Sequence, residues 1–344
     1  MRKKTTIQDI ATKLGITPSS VSKAFSNHPR ISSETKKAVR EMGEALGYKP
    51  NYMATALRKG KSGLVGMLVP GIHYSFFATA IKGAEEILSQ HGYSVIIAQS
   101  KDSYEVEMKQ LEGFLRAQVE GIISSVAMNS KTYQHYRAAA ENTPLVLFDR
   151  TYDDESISTV TIDDFGGAVK AVDHLVEMGY KKIAHIAGYN HVLPFKRRIE
   201  GYKSALAKHG LTFRKDFIFQ CAPNNDEGTQ VANKLLDMDN PPDAIFASSD
   251  YLAFGAMKAI MDKGLRIPED IGVVGFSNEE FSSRVSPSIT TIDQFPEVMG
   301  STAARSLIVQ LSLANQKEVV PQRHILTPKL IVRNSSLRKV LVTI

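Results

Sequence analysis

Cysteine is almost absent. Cys221 is the single one in 344 residues, which excludes an intramolecular disulfide and a thiolate metal cluster. Long apolar runs are missing as well, since no stretch of about eighteen apolar residues exists to cross a membrane. The basic opening Met1-Arg2-Lys3-Lys4 leads into an amphipathic pattern without the apolar segment of an export signal. A cytoplasmic location without membrane attachment is expected. Enzyme signatures are lacking too: no G-x-G-x-x-G follows the first strand pattern, and there is no Walker lysine loop, H-E-x-x-H or G-x-S-x-G. The nine histidines are scattered, and His174 and His185 sit in helix and strand patterns where a structural role suffices. Acidic pairs such as Asp153-Asp154 and Glu279-Glu280 read as solvated loop charge. Neither catalysis, nor a cofactor, nor a metal is expected.

What is present is positive charge, and it is local. Residues 1–62 hold 13 Lys plus Arg against 4 Asp plus Glu, a net of +9. The chain as a whole holds 42 against 36, so the other 282 residues carry 29 against 32, a net of −3. Clustered basicity is the footprint of phosphate neutralisation, although a solvated basic tail has the same charge. The periodic pattern inside the segment decides for nucleic acid. Ile7, Ile10, Ala11 and Leu14 share one helical face, and Gly15 marks a turn. Val21, Ala24 and Phe25 then give a second short helix its buried side. Ser19, Ser22 and Lys23 are left to point outward, where small hydroxyls and a lysine suit a DNA major groove. This is the layout of a helix-turn-helix. Ser32 or Ser33 caps a third helix from Glu34 to Leu46, which Gly47 ends.

Between Pro50 and Gly60 lies a stretch of about two helical turns, too short to be stable in water alone. It reads as a hinge that folds on DNA with Leu57 wedged into the minor groove, or as a linker helix with Leu57 packed on protein. From Gly63 the pattern alternates. Strand-like runs at Leu64–Val69, Tyr93–Ala98, Gly121–Val126 and Leu145–Asp149 form one set. Lys182–Ala187, Phe217–Cys221, Ala244–Ser248 and Ile271–Phe276 form a second, with amphipathic helices between the strands. Two such sets predict two doubly wound parallel α/β lobes, with a break near Ser156–Asp163 and a return crossing at Ile289–Phe295. A ligand would sit in a cleft beyond the carboxyl ends of the strands.

In order and spacing, several stretches resemble the LacI/GalR family of bacterial regulators over essentially the whole chain. They include Thr6-Ile-Gln-Asp-Ile-Ala, Val21-Ser-Lys-Ala-Phe-Ser-Asn, Asp173-His-Leu-Val-Glu-Met-Gly-Tyr, Arg197-Arg-Ile-Glu-Gly-Tyr and Ile267-Pro-Glu-Asp-Ile-Gly-Val-Val-Gly-Phe. The resemblance implies an all-α helix-turn-helix head at 1–50, a hinge helix and linker at 51–62, and an effector and dimerisation domain at 63–344. Its N-lobe is expected at about 63–160 and 294–321, and its C-lobe at about 161–293 and 322–340. The implied activity is repression by a homodimer on a near-palindromic double-stranded DNA operator, controlled by a small-molecule effector between the lobes. Activation or corepression by a non-sugar ligand or a protein partner is the alternative. A solute-binding protein shares the two-lobe fold, but the attached basic head argues against it.

The DNA-facing set implied is Thr6, Thr17, Pro18, Ser19, Ser22, Lys23, Asn27 and Arg30 in the head, with Asn51, Tyr52, Ala54 and Leu57 in the hinge. Pro18 is more simply explained as a helix starter, which leaves Ser19 and Lys23 to read bases. The effector set is Phe76 and chiefly Phe77 for stacking, Arg198 as a clamp, Asp149 and Gln294 as hydroxyl partners, and Ser249, Asp250 and Ser277. Arg198 has a competing reading as an inter-lobe salt bridge. Sugar-binding relatives place Asn or Asp where Ser249 stands, and Asp where Ser277 stands. Loss of that carboxylate leads to the expectation of a neutral cleft for a carbohydrate or carbohydrate derivative, one that tolerates a sugar acid or a phosphorylated sugar better, with a neutral sugar as the alternative.

Overall fold

The computed structural model describes residues 5–48, 62–153, 155–313 and 320–338. The hinge positions Asn51, Tyr52, Ala54 and Leu57 lie outside these. The chain divides into two units, Met1–Ser62 and Gly63–Ile344.

In the first unit, α1 (Ile7–Leu14), α2 (Pro18–Phe25) and α3 (Ser33–Ala45) follow from local signals. Thr6 and Asp9 form a capping box, with the Thr6 N–H donating to Asp9 Oδ2 at 2.8 Å. Gly15 closes α1 at φ 65°, a left-handed conformation that favours glycine. Thr17 caps α2 by accepting from the Ser20 N–H at 3.2 Å, and Pro18 occupies the first turn, where a missing N–H costs nothing. Ser32 caps α3 in the same way. Ile10, Ala11, Val21, Ala24 and Val39 meet in one core.

The second unit has two sheets. The first runs through β1 (Leu64–Val69), β2 (Ser94–Gln99), β3 (Gly121–Ser124), β4 (Leu145–Phe148) and β5 (Ser158–Ile162). Its helices are α4 (Ser75–Gln90), α5 (Tyr104–Arg116) and α6 (Gln134–Ala140). The chain then builds a second lobe from α7 (Asp164–Glu177), β6 (Ile183–Ala187), α8 (Leu193–Lys208) and β7 (Ile218–Gln220). It is completed by α9 (Asn225–Leu236), β8 (Ala244–Ala247), α10 (Asp250–Asp262) and β9 (Gly272–Val274). Then come β10 (Thr291–Asp293), α11 (Pro296–Leu313), β11 (Arg323–Leu326) and β12 (Lys329–Ile331). The first sheet is parallel in the order β11-β5-β4-β3-β1-β2, and the second is parallel in the order β7-β6-β8-β9. β10 and β12 form an antiparallel ribbon.

Three details depart from the sequence reading. Ser158–Ile162 is no break but a strand, because β-branched Thr and Val carry it into the first sheet beside β4. The 322–340 segment does not stay in the C-lobe: β11 extends the first sheet along β5 before the chain returns as β12. β2 is an edge strand and not buried, with Ile97 46% exposed. Packing is closest where α4 crosses α11: a Cβ on Gly300 would stand 1.9 Å from the Ala80 carbonyl oxygen. No described helix is long and apolar enough to cross a membrane.

Candidate functional site

In the head, Ser19, Lys23 and Arg30 are exposed. Thr6 and Thr17, both in the expected DNA-facing set, use their hydroxyls at helix N-termini: Thr6 Oγ1 donates to Asp9 Oδ2 at 2.8 Å, and Thr17 Oγ1 pairs with Ser20 Oγ at 3.0 Å. Asn27 sits at φ 54° and accepts from Arg40 Nη2 at 2.5 Å, a contact that the pattern did not announce. Ser22 corrects the outward-facing assignment, since it is buried at 7% exposure on the side of α2 that carries Val21.

Within the second unit, a narrow cavity of about 70 Å³ lies between the lobes, well below the few hundred Å³ usual for ligand sites. It is lined by Tyr74, Phe76, Asp149, Arg150, Phe195, Arg198, Ser249, Ser277, Glu279 and Gln294, with Pro194 and Pro223. Beside it, sharing Tyr74 and Pro223, opens a pocket of about 270 Å³ walled by Asp102, Met128, Tyr189 and His191.

Arg198 is delivered by α8, whose buried face repeats at Phe195, Arg198, Ile199, Tyr202, Ala205 and Leu206. All three nitrogens of its guanidinium are engaged. Nε donates to Asp164 Oδ1 at 2.8 Å, Nη1 to the Ser248 carbonyl at 2.7 Å, and Nη2 to Gln294 Oε1 at 3.2 Å. The plane lies 3.6 Å from the centroid of Phe276. Asp164 opens α7 in the same lobe, so the pair does not bridge the lobes. Burial raises the Asp164 pKa against the pull of Arg198.

Asp149 ends β4 in the left-handed region at φ 58°, which turns its carboxylate into the cleft. Its partners are weak: Ser125 Oγ at 3.4 Å and Arg150 Nε at 3.9 Å. Desolvation pushes its pKa up to about 6, with Arg150 and Arg198 opposing. Arg150 also hydrogen-bonds Asp102, so its charge is taken as well. The aromatic pair separates. Phe76 lines the cavity, whereas Phe77 packs edge-on against Phe148 within the N-lobe core and is not part of the lining. The helical turn rotates it inward.

Ser249 lines the cleft while capping α10 through the Leu252 N–H at 3.2 Å. Ser277 lines it at φ 117°. Asp250 does not. Fully buried, it accepts from Thr291 Oγ1 at 2.6 Å and from the Glu279 N–H at 2.7 Å, which makes it the anchor of the 277–279 turn. Burial raises its pKa to about 7.

The expectation of a cleft without a C-lobe carboxylate fails at Glu279. Read as solvated together with Glu280, it is 5% exposed and lines the cavity; only Glu280 is exposed, paired with Arg284. Two carboxylates therefore face two arginines that are each already paired with another carboxylate, Arg150 with Asp102 and Arg198 with Asp164. Sequence reasoning also missed Tyr74, Arg150 and Phe195. Arg150 carried a signal, since it directly follows the strand-end Asp149.

Comparisons with known proteins agree along the chain. Residues 6–51 match the bacterial regulatory proteins of the lacI family, and residues 172–336 match a periplasmic binding protein-like domain. The chain is 32% identical to the probable HTH-type transcriptional repressor ExuR of Bacillus subtilis (strain 168), over 96% of this chain and 98% of that one. The lac repressor dimer bound to operator and the anti-inducer ONPF superposes with a TM-score of 0.88 at 25% identity, covering 97% of this chain and 100% of that one. The transcriptional regulator CelR in complex with cellobiose gives 0.73 at 27% identity, covering 96% and 100%. A helix-turn-helix head followed by a periplasmic binding protein-like domain is thus matched in sequence and in fold, and the chain belongs to the lacI family of bacterial regulatory proteins.

Proposed function

We propose that this DNA-binding regulator is a repressor that grips a near-palindromic operator as a homodimer, and that a neutral polyhydroxyl effector, a carbohydrate or a derivative of one, sets its operator affinity from the cleft. The observation that carries the effector class is Asp149, a strand-end carboxylate turned into the cleft with only 3.4 Å and 3.9 Å contacts. Such an acceptor suits paired hydroxyls. An anionic group would face it with Arg150 and Arg198 already occupied by Asp102, Asp164 and Gln294. Phe76 and Phe195 offer apolar faces for a sugar ring. The kinship with CelR bound to cellobiose, and with a lac repressor dimer seated on operator, supports the same reading. For DNA, the outward set of the described head loses only the buried Ser22 and keeps Thr6, Thr17, Pro18, Ser19, Lys23, Asn27 and Arg30, with Ser19 and Lys23 as base readers and Leu57 of the hinge as the minor-groove wedge. The effector then changes operator affinity only by its differential affinity for two lobe arrangements, with release from DNA as the expected sign.

The test is a thermal-unfolding screen against neutral sugars, sugar acids and sugar phosphates. A ligand at one hundred times its dissociation constant adds about 2.7 kcal/mol of stability, a shift of several degrees. A neutral-sugar hit whose affinity falls at least about tenfold in Asp149→Asn supports the proposal. A hit confined to acids or phosphates overturns the effector class.

A further inference from the structure

The first turn of α4 holds no acidic residue, and its N-cap, Tyr74, makes no side-chain cap bond. A sixteen-residue helix nevertheless presents free N–H groups and a partial positive charge at that end. The carboxylate that meets them comes from the other lobe, 204 residues away. Glu279 Oε2 accepts from Ser75 Oγ, and the Ser75 and Phe76 amides hold its ionised form by hydrogen bonding, against a burial that raises its pKa.

The turn that aims Glu279 is built for the purpose. Ser277 and Asn278 both occupy positive φ, 117° and 53°, where side-chain-bearing residues are strained. The buried Asp250 holds the Glu279 N–H at 2.7 Å, and the Ser282 hydroxyl closes on the Glu279 carbonyl at 2.6 Å. Beneath it, Arg333 clamps Asn278 Oδ1 at 2.7 Å and the Ile289 carbonyl at 2.8 Å. Strain held in place by that many bonds points to a function for the one side chain it projects.

We propose that Glu279 is a helix cap supplied across the cleft: the N-terminus of α4 is the point at which the C-lobe docks on the N-lobe, and the 277–279 turn is the latch that holds the cleft narrow. Two further cross-lobe contacts flank it, His191 Nε2 to the Met128 carbonyl at 2.9 Å and Tyr74 edge-on to Tyr251 at 5.5 Å. Both involve surface or ring contacts that yield more readily than a charge-assisted cap. The latch adds regulation to the cleft read above as an effector site, but it is a property of the chain alone.

Hydrogen exchange on the full-length protein tests it without effector or operator, so its failure would leave the effector reading untouched. In Glu279→Ala, peptides on both walls of the cleft, 74–80 and 191–198, should exchange roughly tenfold faster together, while the buried strands β1 and β6 keep their protection. Ser75→Ala removes the partner and leaves Glu279, so it should give the same pattern at smaller amplitude. Glu279→Gln retains an acceptor oxygen and should restore part of the protection. Inorganic phosphate is the second probe, because it competes for a freed helix N-terminus. It should raise the unfolding midpoint of Glu279→Ala saturably, and not that of the wild type. Faster exchange confined to residues 277–283, or an equal phosphate response in wild type and variant, would overturn the latch.

Discussion

Replacing Arg198 with Ala removes one buried cation and leaves three groups without their partner. Asp164 loses its counter-charge in a site where Arg198 is 4% exposed, and the Ser248 carbonyl and Gln294 lose their donor. Breaking one side of a buried pair costs about 3–5 kcal/mol, because the surviving charge remains desolvated. Asp164 has a way out, since burial already raises its pKa and protonation removes the stranded charge. The cost should therefore shrink as pH falls, by up to about 1.4 kcal/mol per unit while the carboxyl is taking up its proton. Urea unfolding followed by far-UV circular dichroism at pH 5.5 and 8, on wild type and Arg198→Ala, reads both quantities. Adding Asp164→Asn should rescue much of the loss at pH 8, because no stranded charge is then left. A cost under about 1 kcal/mol at pH 8, or a double variant no better than the single one, would refute the structural pair and return Arg198 to the role of a free ligand clamp.

Two further outcomes follow from burial. His185 stacks on Phe246 at 4.5 Å and its pKa is lowered to about 4, first by desolvation. The unfolded chain binds that proton more tightly, so the stability His185 contributes is present above about pH 6.5 and lost as pH falls toward 4. His185→Phe lacks the titration, and the stability of wild type relative to it should fall on the order of 3 kcal/mol across that window, as read from urea midpoints; a constant difference would refute the neutral buried ring. At the α4–α11 crossing, Gly300→Ala places a methyl 1.9 Å from backbone that cannot turn aside. A loss of about 3 kcal/mol or more is expected from thermal unfolding, and a loss below about 1 kcal/mol would mean that the helices separate freely.

Much of this architecture could be read from residue pattern. The turn at Gly15 and the cap at Ser32 carry local chemistry that does not depend on the rest of the chain, so the three-helix head was legible and α3 lies within a residue of its expected ends, whereas the caps at Thr6 and Thr17 were read as DNA-facing residues. Buried strands such as Leu64–Val69 announce themselves because both faces are covered. β5 did not, because Ser158, Thr159 and Thr161 lower its hydropathy while their β-branched members still suit a sheet. β11 is hidden for a related reason: an edge strand reading Arg-His-Ile-Leu needs only a partner, not an apolar run. The cleft was partly visible through Arg198, Asp149, Ser249, Ser277 and Gln294. Glu279 and Glu280 are the same residue type side by side, and only the left-handed turn at Ser277-Asn278 sends one inward and the other to solvent. No glycine marks that turn, so nothing in the sequence advertised it. Phe77 failed for the opposite reason, as adjacent aromatics on a helix point some 100° apart and one of them had to enter the core.

The order in which the strands arrive has a consequence for synthesis. β5 is placed by residue 162, yet the strand that covers its open edge, β11, begins at Arg323. While the whole C-lobe emerges from the ribosome, the N-lobe sheet waits with one backbone edge bare, at a rate of about 5–20 residues per second. The 160 residues between Ile162 and Arg323 take roughly 8–32 seconds at that rate, during most of which the N-lobe also lacks α11 from its core and carries an exposed template for pairing. The serine and threonine side chains that hid β5 from pattern reading keep that edge wettable during the wait.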